Sequence, residues 1–123
     1  MNQFGHRDDN LFDFEARHVR FLGPQEGVAE TVFTSKIAHL FSKHSIKCRA
    51  YLARVDYDDG SGVNIALCIF LGESTDSNLV EELIGITFSN MFNSNEHLDT
   101  YMITKERDQE LHEMADPFYD NIQ

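Results

Sequence analysis

The sequence predicts an α/β (α+β) fold: one domain, a mixed sheet of three to four strands, elements in the order (β)αββαβα, and two helices packed on one face. Three observations carry this. Apolar residues recur at helical spacing over 24–44 and again over 77–92. Two alternating runs, 46–57 and 63–71, flank a turn sequence. A third short run, 98–104, follows the second helical segment.

Residues 1–17 read as a partly mobile N-terminal leader in which Phe4, Phe12 and Phe14 stand among acids and amides, with a short helix over 10–17. Those rings are placed to dock on the domain or on a partner. Residues 18–123 read as the single domain. A weak alternation over 18–22 suggests a short strand, which Gly23-Pro24 breaks. The first helix is expected over 24–44, with Val28, Val32, Phe33, Ile37, Leu40 and Phe41 on one face. Glu26 and Glu30 near its start and Lys43 and His44 near its end suit the helix dipole.

The two alternating runs form a hairpin around Asp58-Asp59-Gly60-Ser61. A four-residue loop sets Leu52 opposite Leu67, Ala50 opposite Ile69 and Cys48 opposite Leu71, all apolar, so this face is the core. The other face pairs Tyr51 with Cys68, Arg49 with Phe70 and Ala53 with Ala66, and is half apolar. The same register puts the only two cysteines on opposite faces, which excludes a disulfide between them. The second helix, 77–92, carries Leu79, Val80, Leu83, Ile84, Phe88, Met91 and Phe92, and either Asn78 with Glu81 or Asp76 caps it. Asn93-Ser94-Asn95 ends it. In the strand 98–104, Leu98, Thr100 and Met102 oppose Tyr101 and Ile103. A last helix over 108–116 is anchored by Leu111 and Met114 and stopped by Pro117. With a strand at 18–22 the first six elements follow a split βαβ order, which leaves the second sheet face to the C-terminal helix, a ligand or a second subunit.

Ten basic and twenty-one acidic residues give a net charge of −11. Affinity for nucleic acid rests on neutralising phosphates, so no nucleic acid is expected as partner, and no anionic membrane surface. A 41% hydrophobic content with ten Phe is too apolar for a disordered acidic tail. The charge is uneven: residues 1–55 sum to +2 (eight bases, six acids) and residues 56–123 to −13 (two bases, fifteen acids). This two-signed surface suits a basic partner or head-to-tail self-contact, and equally a solvated face. No stretch reaches the ~20 apolar residues of a membrane span, and the start lacks an apolar signal core, so the expected compartment is the cytoplasm.

No constellation of side chains supports a reaction, so the expectation is no enzyme, no cofactor and no metal. His39 and His44 are five apart and do not share a helix face, and His112 with Asp116 supplies only two ligands. The Asp56-Tyr57-Asp58-Asp59-Gly60 run lacks the glutamate a calcium loop needs, because Leu67 stands there. Gly60-Ser61-Gly62 leads into a strand, not a helix that would hold phosphate. Glu81 and Glu82 point different ways on a helix. The candidate partner or ligand surface is Arg49, Tyr51, Arg54, Phe70, Tyr101, Phe118 and Tyr119, residue types favoured in interfaces. In the competing reading Arg49 pairs with an acid of the C-terminal tail while Phe118 and Tyr119 close the core.

Leu22-Gly23-Pro24, a helix, Arg49-Ala50-Tyr51-Leu52-Ala53-Arg54-Val55, an apolar strand and helix, and Pro117-Phe118-Tyr119 together resemble the C-terminal domain of the SseB family, bacterial proteins named for enhanced serine sensitivity. The likeness spans roughly residues 18–120. It implies a bacterial cytoplasmic α/β domain and brings no catalytic residue or cofactor. Residues 1–17 leave no room for the family's preceding domain, so the expectation is a free-standing protein-interaction or accessory module that binds a protein partner or self-associates as a homodimer. The alternative is a small-molecule (amino-acid) sensing domain linked to serine metabolism.

Overall fold

Two nine-residue strands, β2 (Cys48–Asp56) and β3 (Val63–Leu71), form the centre of a five-stranded sheet. The computed structural model describes residues 20–24, 27–56, 63–92 and 98–122. Around the central pair the chain supplies β1 (Arg20–Pro24), α1 (Val28–Lys43), α2 (Ser77–Met91), β4 (Asp99–Met102), α3 (Lys105–His112) and β5 (Tyr119–Asp120). The leader 1–17, the turn at 58–61, His18 with Val19, and 93–95 lie outside the described residues.

The β2–β3 register is the one the alternation predicts, with Cys48 opposite Leu71, Ala50 opposite Ile69, Tyr51 opposite Cys68 and Leu52 opposite Leu67. A one-residue slip would carry every core side chain to the opposite face, into a core packed for other side chains, so the register is held firmly. Cys48 and Cys68 accordingly face opposite cores, and both are buried thiols outside any disulfide. At the end of β3, Gly72 donates its N–H to the Lys47 carbonyl at 2.8 Å. A Cβ on Gly72 would sit 2.9 Å from that oxygen, so only glycine allows the approach.

The strands lie in chain order β1-β2-β3-β4. β1 is antiparallel to β2 although α1 separates them, and β3 and β4 are parallel neighbours joined by α2. This corrects the split βαβ expectation: the element order agrees, but no strand is inserted between the partners of either crossover. The fifth strand was also not expected. β5 pairs with Arg49 and Ala50 of β2, on the edge that β1 leaves uncovered.

α1 begins at Val28, later than expected, because Pro24 is still paired with Ala53 in β1. Gly27 follows at φ +155°, a conformation that favours glycine, and the Glu30 carboxylate folds back over it into the space a side chain would need. Phe33, Ile37 and Phe41 form the buried stripe of α1. Val28 and Val32 do not belong to it: they are 85% and 43% exposed. Val32 precedes Phe33 by one residue, about 100° round the helix. Asp76, not Asn78, caps α2 by accepting the Asn78 N–H at 2.9 Å.

α1 and α2 cover one sheet face, where Phe33, Ile37, Phe41, Cys48, Ala50, Leu67, Ile69, Val80 and Ile84 are buried. α3 covers the other, over Tyr51, Ala53, Val55, Ala66, Cys68, Tyr101 and Ile103. α3 starts three residues before its expected position because Thr104 caps it, accepting the Arg107 N–H at 3.2 Å. Leu111 anchors α3 as expected, but Met114 lies past its end and is 42% exposed, with Ala115 buried instead. No helix among the described residues is long and apolar enough to cross a membrane.

Candidate functional site

Of the three occupants left open for the second sheet face, the C-terminal helix α3 is the one found, and the closure is ionic as well as apolar. Alternation along β2 turns Arg49 and Tyr51 to this face, and α3 lowers Asp108 onto them. Asp108 is 3% exposed. It accepts from Arg49 Nη1 at 2.6 Å and from the Tyr51 hydroxyl at 2.8 Å. With the Tyr51 proton assigned to Asp108, His112 Nδ1–H donates to the Tyr51 oxygen at 3.2 Å. From β5, Asp120 Oδ1 approaches Arg49 Nε at 3.2 Å. That N–H is not aimed at the carboxylate, so the contact is an ion pair and not a hydrogen bond.

The electrostatics follow from burial and these partners. Burial pulls the Arg49 pKa down, but Asp108 and Asp120 outweigh it and hold the guanidinium above its ordinary value. Burial, then the bond to Asp108, pushes the Tyr51 hydroxyl up. Burial, reinforced by the charge of Asp120, raises Cys48 from 9.0 to about 12. Tyrosine, aspartate and histidine in one chain of contacts have the elements of acid–base chemistry. Here the Tyr51 side chain is wholly buried and Asp108 nearly so, which keeps a substrate atom from both. What the cluster does is fasten α3 and β5 to β2.

The candidate surface residues therefore divide. Tyr51 and Tyr101 are buried under α3, which corrects their assignment to a docking face. Phe70 packs against the same core, and Arg49 is held by the two aspartates. Phe118 and Tyr119 pack on the core of the α1–α2 face. The Tyr119 ring meets Phe41 edge-on at 5.4 Å, and its hydroxyl donates to the Ile46 carbonyl at 2.9 Å. The Phe118 N–H donates to the Ala50 carbonyl at 2.9 Å. This is the competing reading: Arg49 paired to a tail acid, with Phe118 and Tyr119 closing the core. Arg54 alone of the seven is exposed, near Gly23.

Sequence reasoning missed Asp108, although Asp108, Leu111 and Ala115 fall at i, i+3 and i+7 on one face of the last helical segment. It also missed an open groove of about 720 Å³ between α1 and α2 on the solvent side. Val32, Leu40, Ile86 and Met91 supply its apolar surface, and Lys36 and His39 stand along it. Ile86 is 52% exposed. A signal was present in Ile86, which is offset from the apolar stripe of its own helix, whereas Val32 was read into the stripe of α1. A second hollow, about 100 Å³, is lined by Phe33, Phe88 and Phe92 with Glu30. Among the described residues no three His, Cys, Asp or Glu side chains converge as a metal site.

No family model, curated protein or solved structure matches the chain.

Proposed function

We propose that the chain is a non-enzymatic protein-interaction or accessory module of the SseB C-terminal kind, acting in the bacterial cytoplasm, and that it engages its partner through the groove between α1 and α2. The observation that carries this reading is the pair of apolar side chains, Val32 at 43% and Ile86 at 52% exposure, on facing helices around one groove. Exposed apolar side chains that line one concave groove support an interaction site there. The SseB likeness supports it from a second side. Its two most specific motifs, 50–53 and 117–119, meet where Ala50 pairs with Tyr119 and accepts the Phe118 N–H. The likeness thus falls on residues that hold the fold together.

Amino-acid sensing has less support. The hollow at Phe33 offers one carboxylate and no cation among its lining residues, and an amino acid requires a partner for its own carboxylate.

The test is affinity capture and size-exclusion chromatography at two salt concentrations with the wild type and Ile86→Asp. Ile86 is an exposed helix position, so the substitution changes stability by less than about 1 kcal/mol. The reading expects a bound protein or second copy with the wild type and its loss with Ile86→Asp. A monomer without partner under all conditions contradicts it, as does a partner indifferent to Ile86.

A further inference from the structure

We infer that the groove between α1 and α2 accepts a short amphipathic helix with acidic flanks, carried by a protein partner; this rests on reading the groove as the interaction site. Four features fix the class of occupant. Both walls are helices whose backbone groups bond internally, so the groove has no strand edge for an extended peptide. An occupant lying on apolar walls must satisfy its own backbone, which a helix does.

The polar atoms in the groove are partly committed already. Thr31 Oγ1 donates to the Gly27 carbonyl at 2.7 Å and Thr87 Oγ1 to the Leu83 carbonyl at 2.9 Å, so these two hydroxyl protons are not available to an occupant. The apolar contacts offered to an occupant run along Val32, Leu40, Ile86 and Met91, with Ser35 and Asn90 as polar neighbours. The α1 wall, from residue 31 to residue 40, is about 14 Å long at 1.5 Å per residue. That accommodates two to three turns of a partner helix with apolar anchors at i, i+3 or i+4, and i+7.

Charge supplies the last feature. The chain carries twenty-one acids against ten bases, yet Lys36 and His39 line the groove and, among the described residues, no carboxylate does. Acidic residues beside the apolar anchors find a complement in Lys36 there and repulsion from the acids gathered in residues 56–123, which favours that placement of the helix.

The probe is a fluorescein-labelled designed peptide of about fourteen residues, with leucines on one helical face and Asp and Glu beside them. The control keeps the leucines and replaces every acid by lysine. Fluorescence anisotropy is read with the full chain at physiological ionic strength. The acidic peptide is expected to bind roughly tenfold more tightly than the basic one, with roughly tenfold loss for Lys36→Glu and a larger loss for Ile86→Asp. Circular dichroism confirms that both variants are folded. Equal binding of the two peptides, preference for the basic one, or indifference to Lys36→Glu overturns the inference. So does a dimer in sedimentation that Ile86→Asp dissociates, because the occupant is then a second copy. In either case a natural partner that depends on Ile86 leaves the interaction reading standing, whereas the absence of any such partner removes both.

Discussion

Asp108 is the residue on which the second sheet face depends, because it satisfies Arg49 and Tyr51 together while nearly excluded from water. Asp108→Ala leaves the Tyr51 hydroxyl without its acceptor and Arg49 with one carboxylate fewer; a loss of about 2–4 kcal/mol is expected in urea denaturation. Tyr51→Phe removes one donor and is expected to cost about 1–2 kcal/mol. A second prediction concerns protons. Cys48 is raised from 9.0 to about 12 and Tyr51 is raised as well, so the folded protein retains protons that the unfolded chain releases. Stability is therefore full below about pH 9 and falls as pH rises toward 12. Cys48→Ala flattens the first part of that fall. In the same experiment, a thiol reagent leaves both buried cysteines untouched until denaturant is added. The facing of the two cysteines was legible in the sequence because both hairpin faces alternate. The burial of Tyr51 was not, because Arg and Tyr are common both in interfaces and beneath a covering helix, and only the Asp108 side chain distinguishes the cases.

β5 is the shortest element, two residues, and joins distant parts of the chain. It completes the β2 edge, carries Asp120 to Arg49 and sets the Tyr119 ring on Phe41. Tyr119→Ala loses the ring contact and the bond to Ile46, and an expected destabilisation of about 2–3 kcal/mol is measurable by thermal or urea unfolding. A larger shift of the unfolding midpoint than for Asp76→Ala, whose lost cap costs about 1 kcal/mol, marks β5 as tertiary closure and not a local cap. The long elements were readable because their periods persist: β3 falls where the alternation puts it, and α2 differs by one residue at its end. β5 was not readable, since two residues cannot show a period and Pro117 signalled only where a helix stops. The start of α3 was obscured for a related reason. Thr104 completes an apolar alternation with Met102 and Thr100, yet acts as a cap. In α1 the two early valines lengthened the apparent stripe, although burial follows the steps of four through Phe33, Ile37 and Phe41.

At the scale of the molecule, three layers leave both sheet faces covered: α1 and α2 on one side, α3 on the other. The apolar surface that remains is concentrated on the outside of the helical pair. Among the described residues the exposed large apolar side chains are Val28, Val32, Ile86 and Met114, and only Val32 and Ile86 share a groove. Against the balance of −11 for the whole chain, Lys36 beside that groove is a local exception. In the proposed reading the helical groove, and not the face closed by α3, meets the partner. Site-specific photo-crosslinking in living cells tests it most directly, with the reactive amino acid placed at Ile86 in one strain and at Met114 in another. A discrete adduct from position 86 and none from position 114 is the expected result. Adducts from position 114 alone, or from neither position, contradict the account.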